Sequence, residues 1–148
     1  MKTSKLPKRV YGVTLLFITL SGFGQMPIFK RYYIADITGF GWLAQFYITH
    51  SIHYITAAVL LAMAGYWTVS FLIEKQPMSS LTHLGRVKAG LILGLVVTGG
   101  LMVVKNLAGV YFSHAAIHLM DLLHLGLCMA LLAVSGISLF TRTPWMRR

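Results

Sequence analysis

The stretch ITGFGWLAQFYITHSIHYITAAVLLAMAGYWTVSFLI, residues 37–73, runs for 37 positions without an Asp, Glu, Lys or Arg. A membrane-spanning helix needs about 20 mostly apolar residues, and this whole stretch, if helical, would be roughly 55 Å long against an apolar bilayer core of about 30 Å. Its early part, from Gly39 to about Gln45, is therefore expected to be a loop or interfacial segment, with a helix starting near Phe46. Three further apolar stretches lie between charged residues, giving expected spans over residues 10–28, 46–73, 88–105 and 117–140. The third is short for a span, and Lys88 and Lys105 at its ends are expected to extend it by snorkelling outward.

Composition points the same way. Of 148 residues 57% are hydrophobic and 11% charged, whereas a soluble domain of ordinary composition carries about 25% charged residues. The acids number three (Asp36, Glu74, Asp121), against thirteen Lys and Arg and six histidines. A soluble enzyme, a disordered chain and a nucleic-acid-binding domain are excluded on this ground. The +10 charge has no polar face on which a nucleic-acid site could be built. The single cysteine, Cys128, excludes an internal disulfide, a Cys-x-x-Cys-His attachment for c-type haem and a cysteine-ligated iron–sulfur cluster. No Walker A loop or Gly-x-Gly-x-x-Gly fingerprint occurs. Any redox centre must take its ligands from histidine.

The basic start (Lys2, Lys5, Lys8, Arg9) before an apolar run resembles a signal peptide, but no small-residue cleavage pattern follows, so it is expected to be a retained first span. Lys and Arg then set the orientation. The N-terminus, the second loop and the C-terminus carry four, three and three, against two and one in the first and third loops. Both termini are expected to face the cytoplasm. No internal repeat, low-complexity tract or linker is evident, and the expectation is a single domain over residues 1–148, an all-α integral membrane four-helix bundle.

The histidines are unevenly placed. None occurs in the first 49 residues. His50 and His53 lie at the outer end of the expected second helix, His114, His118 and His124 approach and enter the fourth from the same side, and His83 lies in the cytoplasmic loop. Ionisable groups within a membrane are costly and point to function. For facing histidines in a helix bundle the leading candidate is bis-histidine haem ligation, with neutral imidazoles as axial ligands and apolar helix walls around the macrocycle. His53 and His124 lie at similar depth. His50, one turn further out, is either an alternate ligand or an interfacial residue. His114 and His118 are expected to be solvated or capping residues, and His83 an ordinary loop residue. No His, Glu and Cys spacing of a zinc site is present. The line Gly90, Gly94, Thr98 on the third helix is expected to allow close helix approach.

With these residues in place the chain resembles the four-helix cytochrome b (gamma) subunits of membrane-bound formate dehydrogenases, which have relatives in nickel–iron hydrogenases and thiosulfate reductases. The resemblance rests on Leu20-Ser21-Gly22 closing the first helix and on His53 with Ala57 and Ala58 one turn on. It also rests on Gly85-Arg86-Val87-Lys88 and Val97-Thr98-Gly99 in the third, and on Leu122-Leu123-His124 in the fourth. It implies an outer b haem held by His53, with His50 as alternate, and His124. The inner haem of the family needs a histidine at the start of the first helix and another fourteen residues after the outer ligand; here these positions read Lys8-Arg9-Val10-Tyr11 and Ser138. Paired loss of both ligands implies one haem rather than two. The resemblance further places a menaquinone or ubiquinone region at His83, Gly85 and Arg86. Without the inner haem that region is most of a membrane away from the remaining centre, and reaction near the outer haem or in another membrane subunit are the alternatives.

The expected function is thus a non-catalytic electron-transfer anchor in the cytoplasmic (inner) membrane of a bacterium or archaeon. It would link the quinone pool or a membrane partner to an outer-face redox subunit. The partners implied are an iron–sulfur subunit with a large catalytic oxidoreductase subunit, or a multihaem c-type cytochrome. The alternatives are a haem-free structural anchor and a small proton-coupled transporter. Against the transporter, no Asp, Glu, His, Lys or Arg follows His124 within the fourth span.

Overall fold

Phe46 begins the longest helix because the residue before it breaks the backbone: Gln45 is extended (φ −88°, ψ 97°). The structure is a computed structural model, and it describes residues 5–26, 33, 36–75, 77 and 80–146. The described residues form four α-helices: α1 (Lys5–Gly24), α2 (Phe46–Ile73), α3 (His83–Val104) and α4 (His114–Phe140). A single 3₁₀ turn, Gly41–Ala44, precedes α2 in the segment expected to be a loop. The described residues are thus all-helical apart from loops and one isolated bridge. α2, α3 and α4 are each long and apolar enough to cross a membrane.

α1 differs from expectation. It starts at Lys5 rather than residue 10, with Pro7 in the first turn, where a missing N–H costs nothing. It ends at Gly24 rather than 28. Met26 precedes Pro27, and a residue before proline is driven out of the helical region. Pro27 and Ile28, the expected end of this span, lie outside the described residues, as do Lys2, Lys30, Arg31, Arg147 and Arg148 of the charge count. The apolar part of α1, Arg9–Gly24, is shorter than the other three spans, about 24 Å at 1.5 Å per residue.

α3 and α4 also start before their expected spans, each at a hydroxyl cap. Thr82 Oγ1 accepts from the Gly85 amide at 3.0 Å, and Ser113 Oγ from the Ala116 amide at 3.2 Å. Each satisfies an amide that helix geometry leaves without a partner.

The helices form two compact units, Met1–Glu74 and Lys75–Arg148. In the first, α1 packs antiparallel to α2. Tyr11 near one end of α1 meets Trp67 late in α2 (centroids 5.6 Å apart), while Ser21 near the other end meets His53 early in α2. Leu43 of the 3₁₀ turn and Thr49, both buried, close against Gly24. In the second unit α3 packs antiparallel to α4, with Gly94 against Leu127. The chain beyond α4 then returns to the start of α3. The Thr82 amide donates to the Trp145 carbonyl (3.0 Å), Thr82 Oγ1 donates to the Pro144 carbonyl (2.9 Å), and Leu81 bridges Met146.

The distribution of burial is the reverse of a water-soluble core. Buried large apolar side chains among the described residues are Leu43, Met120 and Leu131, whereas Thr14, Ser21, Thr49, Thr98 and Ser138 are all buried. Phe140 is 92% exposed and Leu139 79%. Small polar residues between helices and large apolar ones outside are what lipid selects, because tails solvate Leu and Phe as well as a protein interior does. Lys88, expected to snorkel outward, is instead 5% exposed, its Nζ 5.2 Å from the Trp145 ring centroid. The returning tail lies across its outward route, and the indole face receives the charge.

Gly24 tests the first unit. An added Cβ would meet the Leu43 carbonyl oxygen at 3.1 Å and the Thr49 methyl at 3.0 Å, and a backbone atom yields little. Gly24→Ala is expected to cost about 1–3 kcal/mol, read as a lowered thermal midpoint in detergent. Gly12→Ala, with nothing within 4 Å, is expected to leave the midpoint unchanged or raise it.

Candidate functional site

His53 lies about two turns into α2. Its Nδ1 is 3.1 Å from the Ile18 carbonyl oxygen and 3.2 Å from Ser21 Oγ, both on α1. A carbonyl cannot donate, so we assign the proton to Nδ1. Ser21 Oγ donates its own proton back along α1 to the Phe17 carbonyl (2.7 Å) and so has lone pairs to offer the ring. Gly22 makes the approach feasible, since a Cβ there would stand 3.2 Å from His53 Cε1.

His124 lies about three turns into α4. Its Nδ1 is 2.8 Å from Thr98 Oγ1 on α3. Thr98 Oγ1 also lies 2.9 Å from the Gly94 carbonyl one turn back, to which it donates. Gly99 follows Thr98, and a Cβ there would stand 3.4 Å from His124 Cε1. Of the small-residue line on α3, Gly94 and Thr98 face α4, while Gly90 has nothing within 4 Å of an added Cβ.

The remaining histidines have different surroundings. His50 stacks edge-on between Phe46 and Tyr54 of its own helix (5.0 and 4.4 Å between centroids), and its buried Nδ1 has no hydrogen-bond partner among the described residues. His114 and His118 are exposed. Asp121, one turn before His124, pairs with Lys105 at 3.4 Å on the surface, a contact of small energetic weight. Ser138, the position where the resemblance would require a second haem ligand, donates to the Thr143 carbonyl at 2.9 Å and finishes α4. Among the described residues no three His, Cys, Asp or Glu side chains come together as a metal-binding group.

His83, Gly85 and Arg86, the candidate quinone region, share the first turn of α3. His83 and Arg86 are exposed. Gly85 is buried directly beneath the Trp145 carbonyl, which occupies the space a Cβ would need. What sequence reasoning missed at this end is the covering tail. Pro144 and Trp145 carried the signal, as the one Pro-aromatic pair after the last helix.

Gly85→Ala must therefore displace the tail. If that costs about 1.4 kcal/mol, trypsin should cleave after Arg142 roughly tenfold faster than in the wild type, with Gly90→Ala unchanged.

Comparison with protein-family models, with curated proteins and with solved structures gave no match, so the chemistry of these two histidines stands on their geometry.

Proposed function

We propose that the chain is a membrane-anchoring electron-transfer subunit of a respiratory oxidoreductase complex, binding one b-type haem through His53 and His124. The observation that carries the reading is the like setting of these two histidines. Each sits in an apolar helix with Nδ1 engaged by a hydroxyl of the neighbouring helix. Histidines that ligate metals usually give their other ring nitrogen to such a partner, which fixes the ring and its tautomer. The donor set, two imidazoles carried on apolar helices, is of the kind that holds a b-type haem. Gly22 and Gly99 leave each ring edge uncrowded.

A haem held by His53 and His124 would supply one-electron transfer. The chain's own residues hold the two rings, exclude water with apolar helix faces and fix the depth of the site. Between His50 and His53 the choice is His53. The residue three before His53 on α2 is His50 and the residue three before His124 on α4 is Asp121, so the pairing of like surroundings runs through His53 and leaves His50 as the alternate.

By the excess of Lys and Arg in the N-terminus, second loop and C-terminus, both termini face the cytoplasm and the two histidines lie toward the outer leaflet. The membrane is the cytoplasmic membrane of a bacterium or archaeon. On its outer face the partner is an iron–sulfur subunit with a large catalytic oxidoreductase subunit, or a multihaem c-type cytochrome. Electrons pass to or from menaquinone or ubiquinone, directly or through a second membrane subunit. The tail over Gly85 favours a quinone site away from His83, Gly85 and Arg86.

A haem-free structural anchor is the second reading, favoured by the fact that hydroxyls and imidazoles already satisfy one another within each unit. A reduced-minus-oxidised spectrum with haem quantitation on the full chain separates the two. Expected are about one haem per chain, its loss in His53→Ala and in His124→Ala, and its retention in His50→Ala. Wild-type protein without a reducible b-type band would establish the structural anchor instead, and two haems per chain would refute the single-haem reading.

A further inference from the structure

The end of the second unit where α3 begins and the tail returns is basic and carries no acid. Arg86 and Arg142 are exposed there, and Lys88 stands in the second turn of α3, where the apolar run from Ala89 begins. The acids of the chain lie elsewhere. Asp36 and Glu74 belong to the first unit, and Asp121 pairs with Lys105 at the other end of α3.

Lys88 is the unusual member of this group. It is 5% exposed, and its ammonium makes no hydrogen bond or ion pair among the described residues; what meets it is the indole face of Trp145, 5.2 Å from Nζ to the ring centroid. An ammonium brings three N–H donors and no acceptor, and an aromatic face answers its charge without supplying an oxygen to those donors. Withdrawing such a group from water is costly unless an anion or acceptor oxygens compensate. Lysines near helix ends usually escape by extending to water, but here the tail is fastened across that route. The Thr82 amide donates to the Trp145 carbonyl at 3.0 Å and Thr82 Oγ1 to the Pro144 carbonyl at 2.9 Å. Arg142, at φ 51°, turns the chain back after α4, and Thr143 is held at both its amide and its carbonyl by Ser138.

We infer that this end of the α3–α4 unit binds the phosphodiester headgroup of an anionic phospholipid, with Lys88 as the charge at its base, Arg86 and Arg142 at its rim and Trp145 as its wall. The surroundings favour a lipid over a free anion. α3 and α4 are each long and apolar enough to cross a membrane, so the start of α3 falls at headgroup depth. An indole suits that depth, having an apolar body and one N–H for a polar neighbour. Beside the cations, Leu139 and Phe140 at the end of α4 are 79% and 92% exposed, an apolar surface on which acyl chains can lie. A free phosphate would use the cations and leave that surface bare. The site involves neither His53 nor His124 and is independent of the haem reading.

The test is the thermal midpoint of the full chain in an uncharged detergent, titrated with phosphatidylglycerol, phosphatidylcholine or inorganic phosphate. A ligand that binds the folded state alone raises the midpoint. Phosphatidylglycerol should raise it at concentrations where the other two do not. In Lys88→Met the concentration giving half of that rise should be about tenfold higher, the loss expected for a hydrogen bond to a charged group. Arg86 and Arg142 are exposed, so Arg86→Gln combined with Arg142→Gln should weaken the response without disturbing the fold. Arg9→Gln, at an exposed cation of the first unit, should leave the response unchanged. Equal protection by phosphatidylcholine or by phosphate would overturn the inference. So would a wild-type response in Lys88→Met or in the double arginine variant, or a loss in Arg9→Gln as large as theirs, since basic charge at any helix end would then suffice.

Discussion

An imidazole nitrogen on a long apolar helix has few polar groups of its own helix to turn to, so the neighbouring helix receives it. In this chain Ser21 Oγ and the Ile18 carbonyl meet His53, and Thr98 Oγ1 meets His124. Much else in each unit follows. The hydroxyl must lie within about 3 Å of the ring, which forces the two helices close along that stretch. A glycine follows the hydroxyl in both cases, and a Cβ there would stand 3.2 Å from His53 Cε1 at Gly22 and 3.4 Å from His124 Cε1 at Gly99. A hydrogen bond of this type between membrane helices is worth about 0.6–2 kcal/mol. Its larger consequence is geometric, since it fixes which face of each long helix meets its partner.

The inverted burial is the companion of that constraint. With Leu and Phe as comfortable in lipid as in protein, apolar side chains give the helices little reason to choose one another. Small polar residues and glycines therefore occupy the contacts: Thr49 against Gly24, Thr98 against His124, Gly94 against Leu127. The C-terminal tail over α3 follows a related logic at the helix end. Thr82 uses its amide and hydroxyl on the tail while its oxygen caps Gly85, and Lys88 finds an indole face where water is shut out.

Much of this was legible in residue order. The helix start at Phe46 followed from length alone, and the apolar character of α2, α3 and α4 from the spacing of charges. His53 and His124 stood out as histidines inside apolar helices. Other parts depended on contacts distant in sequence. The end of α1 at Gly24 was signalled by Met26-Pro27, but an unbroken apolar run concealed it. Thr82 and Ser113 are ordinary capping residues that only their amide partners identify as such. The correspondence between the two histidine settings stayed hidden because the matched positions share few identities, Ser with Thr, Gly with Gly, His with His, and the connections differ in length. Hydrogen-bond partners, rather than residue names, bring it out.

The correspondence also breaks at an informative place. One turn before the matched histidines, α2 carries His50 and α4 carries Asp121. Asp121 faces Lys105 on the protein surface, where an ion pair is cheap to make and to lose. His50 instead lies between Phe46 and Tyr54, with a buried Nδ1 that has no hydrogen-bond partner among the described residues. The two helices are alike at the histidine that touches its neighbour and unlike one turn away, so any shared requirement is confined to the first position. That requirement belongs to the hydroxyl–imidazole pair, and it is the reason His53 and His124, rather than His50, are the ligands to which the proposed haem is assigned.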